Sequence, residues 1–149
     1  MSEYLETTID KFVFRVATDR LFSVDGVWVQ RQANGVRVGL TDYLQQRNGD
    51  VAFAHVKPVG AKLAVGDEFA EIETIKANAS LFSPVSGTVL EVNAALALSP
   101  EIINEAPYDK GWLAVIEAAD WHREQATLLT PEAYLSALRS QAEQELSGS

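Results

Sequence analysis

The sequence predicts a mainly β fold carrying short peripheral helices and one carboxy-terminal helix, on three observations. Residues alternate with a two-residue period in short runs such as Phe12, Phe14, Val16 and Val51, Phe53, His55, the spacing that sends alternate side chains to opposite faces of a strand. Asn-Gly, Gly-Asp and Ser-Gly pairs stand between the β-rich runs, where they act as turns. Helical spacing is confined to brief stretches and to the end of the chain.

Taken in order, residues 1–10 are polar and expected to be loose, and the first strand begins at Phe12. From Gly26 to Leu40, Asn34-Gly35 stands between two β-rich arms, and that dipeptide accepts the positive φ angles of a type I′ hairpin turn. Thr41 to Gly49 reads as a short helix, capped by the Thr41 hydroxyl and closed by Gly49. Strand resumes over 51–56 and stops before Pro58.

From Gly60 to Val92 the chain is nearly symmetric about Lys76, with Gly66-Asp67 ten residues before it and Ser86-Gly87 ten to eleven after. Phe69, Ile72 and Ile75 on one side, and Leu81, Phe82, Val85, Val89 and Val92 on the other, supply the apolar faces of two strands. Gly66 and Gly87 are expected in turns that a β-carbon would crowd. A lysine at the tip of such a hairpin has no packing reason to be there; it faces water, placed for another enzyme to modify. Ser99-Pro100 then offers an N-cap and a pre-set first helical φ for a helix to about Asn104. Residues 113–116 read as a last strand. Thr130-Pro131-Glu132 opens a terminal helix with Tyr134, Leu135 and Leu138 in one apolar stripe. Residues 141–149 are polar and expected to be flexible, and without a Pro-, Ala- or Gly-rich linker 1–149 reads as one domain.

A chain of 149 residues, 47% of them hydrophobic, can bury about two thirds of its unfolded surface around one core. Its net charge of −9, from 21 acidic and 12 basic residues without a basic run, repels nucleic acid and anionic membranes and leaves proteins as partners. The absence of cysteine excludes disulfides and thiolate metal sites. His55 and His122 stand in unrelated segments, so no metal site is expected. MSEYLETTID lacks the apolar core of a signal peptide, and a cytoplasmic monomer is expected. No Ser-His-Asp set is tied to a nucleophile elbow, so the protein is not read as an enzyme. What remains is a protein whose exposed lysine another enzyme modifies, or an unmodified acidic scaffold that an intact mass would tell apart from it.

Gly66-Asp67, Glu73-Thr74-Ile75-Lys76-Ala77 and Ser83-Pro84-Val85-Ser86-Gly87 stand at the offsets found in the lipoyl and biotinyl carrier domains, and the chain resembles among them the H protein family of the glycine cleavage system. Ile75 and Ala77, where biotin carriers have methionines, point away from biotin. The stretch from Ser99 to Trp112 resembles H proteins and has no counterpart in the smaller lipoyl domains. Covering about residues 24–138, the resemblance implies a barrel-sandwich hybrid of the lipoyl/biotinyl carrier type. It also implies lipoate amide-linked to Lys76, and Glu73 as a recognition point for the lipoate-attaching enzyme.

H proteins resemble one another in cradling the protonated amine of the loaded arm between a glutamate in a His-Glu-Trp-Val motif and an aspartate four residues beyond the lysine. In this chain Gly26-Val27-Trp28-Val29 puts Val27 at the first place, and Ser80 stands at the second. Together with Ala17-Thr18-Asp19-Arg20-Leu21, these departures resemble the H-protein-like lipoate-binding proteins of heterodisulfide-reductase-like sulfur oxidation. That resemblance implies sulfur intermediates on the arm and a heterodisulfide-reductase-like complex as partner. The alternative left open is an H protein that serves the glycine cleavage enzymes, its aminomethyl load held by other acidic residues.

Overall fold

The strands of the computed structural model, which describes residues 3–147, are β1 (Tyr4–Ile9), β2 (Phe12–Ala17), β3 (Leu21–Phe22), β4 (Val27–Arg31), β5 (Val36–Leu40), β6 (Val51–Val56), β7 (Lys62–Leu63), β8 (Glu68–Thr74), β9 (Asn78–Phe82), β10 (Gly87–Val92) and β11 (Ala114–Ala118). The helices are α1 (Asp42–Asn48), α2 (Ile102–Glu105), α3 (Trp121–Glu124) and α4 (Pro131–Ser147). The strands form a two-stranded sheet β1-β2, a six-stranded sheet β3-β4-β5-β11-β10-β7 and a three-stranded sheet β6-β8-β9. The mainly β expectation is borne out, as several sheets with a carboxy-terminal helix.

Two apolar clusters hold these layers. The larger takes Val38, Leu40, Phe69, Ile72, Leu81, Val89 and Ile116 from both of the larger sheets. The second joins Phe14 and Val16 of β2, Phe22, Trp28, and Tyr134 and Leu138 of α4, with the Phe22 and Tyr134 rings stacked at 4.8 Å. Burying each such side chain contributes about 1.5–3 kcal/mol. Arg20 closes this cluster. Its guanidinium lies 4.6 Å from the Trp28 ring centroid and donates to the Tyr108 carbonyl at 2.8 Å, so a cation is buried without an unmet donor load.

The chain ends depart from expectation. Residues 4–9, read as loose, pair with 12–17 in register Leu5↔Val16 and Ile9↔Phe12 across a turn in which Asp10 takes φ 58°. Thr7 and Ile9 are buried, and Arg139 of α4 donates to the Thr7 hydroxyl at 3.0 Å. At the other end α4 runs through 141 to Ser147, with Ala142 buried on the same stripe as Tyr134 and Leu138. Each end orders the other, which neither could show alone. The expectations for residues 1–2 and 148–149 lie outside the described residues.

Three local readings also change. The hairpin β4–β5 forms, but Arg31 pairs with Val36 and neither Asn34 nor Gly35 has positive φ, so Gln32 to Gly35 make the connection and no type I′ turn exists. Glycine is needed at 35 for space, since a β-carbon would stand 2.4 Å from the Ile116 carbonyl oxygen. At α2 the Ser99 side chain does not cap; its carbonyl accepts from Ile102 N–H and the helix begins at Ile102. Helix α3 went unforeseen, and its Glu124, only 8% exposed, accepts from the Ser86 backbone N–H at 2.9 Å and hydroxyl at 2.7 Å.

Three tyrosines make the fold sensitive to base. Burial pushes the Tyr43 phenol from 10 up to about 12, helped by neighbouring Glu145, and burial pushes Tyr108 and Tyr134 up further. Each folded pKa lies above its unfolded value, so the native state holds more protons above pH 10. The stability they contribute is complete below pH 10 and is lost as pH rises beyond it. Unfolding free energy should fall by up to about 1.4 kcal/mol per pH unit per phenol above pH 10. Denaturant melts from pH 9 to 12 check this, and Tyr134→Phe should flatten the slope by one phenol's share.

Candidate functional site: a lysine on a fixed hairpin tip

β8 and β9 pair as far as Glu73↔Asn78, and the turn beyond is tied by one side chain. Thr74 donates from both its backbone N–H and its hydroxyl to the Ala77 carbonyl, each at 2.9 Å, and its Oγ1 accepts from Ala77 N–H at 3.2 Å. The clamp leaves Ile75 and Lys76 projecting. Ile75, expected on the apolar face of its strand, is instead 86% exposed.

Lys76 is exposed, yet its stem bends back over the chain just after α1. A β-carbon at Gly49 would lie 3.6 Å from Lys76 Cε. Gly49 takes φ 85° after α1, as expected, and its carbonyl accepts from Asn104 Nδ2 at 2.9 Å while Asn104 Oδ1 accepts from Val51 N–H at 2.9 Å. Through Asn104 the segment 99–112 thus fixes the floor beneath the lysine.

Lys76 borders a cleft of about 410 Å³ of mixed lining, in which Asp25, Arg47, Thr74 and Ser80 stand beside Val27, Leu44, Leu81 and Phe82. The structure therefore brings Val27, Ser80 and Lys76 around one space. Val27 is fully buried, and Ser80 donates its hydroxyl to Glu68 Oε2 at 3.1 Å, so Glu68 brings a carboxylate beside position 80. A second cleft meets Lys76 on the side of β2 and α4.

Glu73 is partly exposed at the end of β8, and its Oε2 lies 2.6 Å from Nε2 of His55 on β6. A bulge between Val51 and Phe53 aims His55 outward: Val51 enters the core and the following residues switch face. Thr74, Gly49, Asn104 and His55 were not read from sequence as parts of this site, because the contacts of the last three join distant segments. Thr74 alone offered a local signal, as a hydroxyl three residues before Ala77. Gly66 has φ 89° but open space around it, so the crowding expected there is absent; at Gly87, which starts β10, it is present.

Comparison with known proteins agrees with this geometry. The family model "Glycine cleavage H-protein" matches residues 20–141. The chain is 40% identical over 116 residues to the glycine cleavage system H protein of Oceanobacillus iheyensis, covering 78% of this chain and 91% of that one. It is 37% identical over 128 residues to that of Carboxydothermus hydrogenoformans, covering 86% and 98%. A crystal structure of a glycine cleavage system H protein from Mycobacterium marinum superposes with a TM-score of 0.70 at 30% identity, covering 80% of this chain and 95% of that one. The chain therefore belongs to the glycine cleavage H-protein family, whose members are non-catalytic carriers with lipoate attached covalently to a lysine.

Proposed function

We propose that this protein is a lipoyl carrier modified on Lys76 and that it serves the glycine cleavage enzymes, as the names of its relatives indicate. The observation that carries the reading is the tip itself: an exposed lysine on a turn clamped by Thr74, backed by Gly49 and bordering a cleft. Lipoate, when bound, supplies a dithiolane that takes up and releases a group by thiol chemistry. The residues around it fit that attachment, since Lys76 can be reached from solvent while Thr74 and Asn104 hold its base still. Glu73 is the proposed handle for the lipoate-attaching enzyme, which would meet it already paired with His55. Asp25 in the cleft wall supplies negative charge for a cationic load where Val27 and Ser80 do not, and Glu68 is held beside it by the Ser80 hydroxyl. The proposal sets the protein in the cytoplasm.

The same cleft favours a second reading, in which the arm carries sulfur intermediates to a heterodisulfide-reductase-like complex. Val27 and Ser80 remove two carboxylate positions, each worth about 1.5–3 kcal/mol as a charge-assisted bond to an amine. A neutral or anionic load loses nothing by this. To decide, the lipoylated protein is offered to glycine decarboxylase and aminomethyltransferase with glycine. Turnover near that of an authentic H protein is expected under the first reading. Inactivity partly restored by Val27→Glu with Ser80→Asp is expected under the second. A melting curve accompanies the double variant, because a glutamate at the buried position 27 costs stability unless it turns into the cleft.

A further inference from the structure

Lys76 stands between two unlike clefts. The first is mixed, with Asp25, Arg47, Thr74 and Ser80 beside Leu44, Leu81 and Phe82 in its walls. The second, about 290 Å³, is lined chiefly by Phe12, Phe14, Tyr43, Ala142 and Leu146. Phe12 and Phe14 belong to β2, and Ala142 and Leu146 to the last turns of α4. All four lie outside residues 20–141, the span matched by the family model. Accepting that Lys76 carries lipoate, we propose that this second cleft seats the closed dithiolane ring of the arm, keeping the resting ring away from the first cleft, with its Asp25 and Arg47, and from solvent.

The chemistry of the walls selects this occupant. A closed dithiolane is apolar with two polarizable sulfurs, and sulfur packs favourably at aromatic edges, which Phe12, Phe14 and Tyr43 supply. Phe12 is 50% and Leu146 47% exposed, so the cleft presents apolar surface that a small ring would cover. The polar groups at its edge are already matched: Arg47 Nη2 lies 3.1 Å from Glu145 Oε1, and the Tyr43 hydroxyl donates to Glu145 Oε2 at 3.2 Å. A ligand needs no hydrogen bond to enter. The volume lies near the lower end of the range of about 300–1,000 Å³ usual for small-molecule sites. Because the tether begins on the rim, entry is intramolecular and needs little affinity. Once the ring is opened or loaded with a charged group the apolar seat loses its advantage, and the first cleft, with the charged groups of Asp25 and Arg47 in its walls, gains it.

The test uses full-length protein whose lipoylation is first established by intact mass. Nuclear Overhauser contacts are expected from the dithiolane protons to the rings of Phe12, Phe14 and Tyr43. Reduction of the ring by a small phosphine is followed in parallel, with Phe12→Ser and Leu146→Ser as variants at half-exposed positions and melting curves to show that the fold persists. If the ring is free a tenth of the time in the parent, it is reduced about tenfold more slowly than in the variants. Equal rates in parent and variants, or ring contacts to Ala79 and Phe82 in the first cleft instead, would overturn the seat while leaving lipoylation at Lys76 intact. A chain that takes no lipoyl group on Lys76 in a lipoate-competent host would overturn both readings together.

Discussion

Lys76→Arg is expected to abolish lipoylation while leaving the unfolding midpoint unchanged. Amide formation needs an amine that can lose its proton and attack an activated acyl group; the guanidinium is delocalised, stays protonated at all working pH values and does not acylate. The fold should not notice. The tip is closed by bonds among Thr74 and Ala77, and Lys76 contributes no hydrogen bond to that closure. Relative to the unmodified parent the charge at the position is kept, so the acidic surroundings are not altered either. The check is intact mass of parent and variant from a host competent in lipoate attachment: the lipoyl increment belongs on the parent alone. A lipoyl group on the variant would move the site to another lysine, and with it the account of both clefts.

How much of this site was legible in the chain follows from the range of each interaction. The hairpin around Lys76 could be read because its determinants are local: alternation in β8 and β9, and turn residues at matched offsets. Helix α1 was legible for the same reason, since the Thr41 hydroxyl accepts from Leu44 N–H within one turn and Gly49 closes the end. The β1–β2 hairpin was not. Its buried face includes Thr7, polar by composition, and is covered by Ala142 and Leu138 from the far end of the chain. The exposed setting of Ile75 was hidden because the strand pattern gives a period and not the residue at which pairing stops. Asn104 fixes the floor of the site, but its three contacts go to Gln45, Gly49 and Val51, more than fifty positions away in sequence. The departures at Val27 and Ser80 were visible as letters, and the presence of Glu68 beside Ser80 was not, because register pairs Glu68 with Phe82 and lets its side chain reach across to residue 80.

Gly87→Val is expected to be the most destabilising single change discussed, at about 4 kcal/mol or more, in the range reserved for named backbone or core faults. Gly87 opens β10, faces Ala118 of β11 on one side and Leu63 of β7 on the other, and takes φ 156°. A β-carbon there would lie 2.0 Å from the Glu117 carbonyl oxygen and 2.8 Å from its carbon. These are backbone atoms of a paired strand, so relief requires β10 and β11 to separate, and no side-chain rotation helps. The fault would spread to the neighbour as well, because Ser86 is held on both its N–H and its hydroxyl by the buried carboxylate of Glu124. Gly66→Val separates crowding from conformation. Gly66 has φ 89° and no atom within 4 Å of a β-carbon, so that variant meets only backbone strain, about 1–3 kcal/mol. For a chain of this length each kcal/mol moves the unfolding midpoint by about 2–4 °C, so Gly87→Val should melt about 8–16 °C below the parent and Gly66→Val clearly less. Scanning calorimetry on the two variants measures the difference. Equal midpoints for Gly87→Val and the parent would mean that the β10–β11 ladder can open at residue 87 without loss, contrary to the close approach of Glu117.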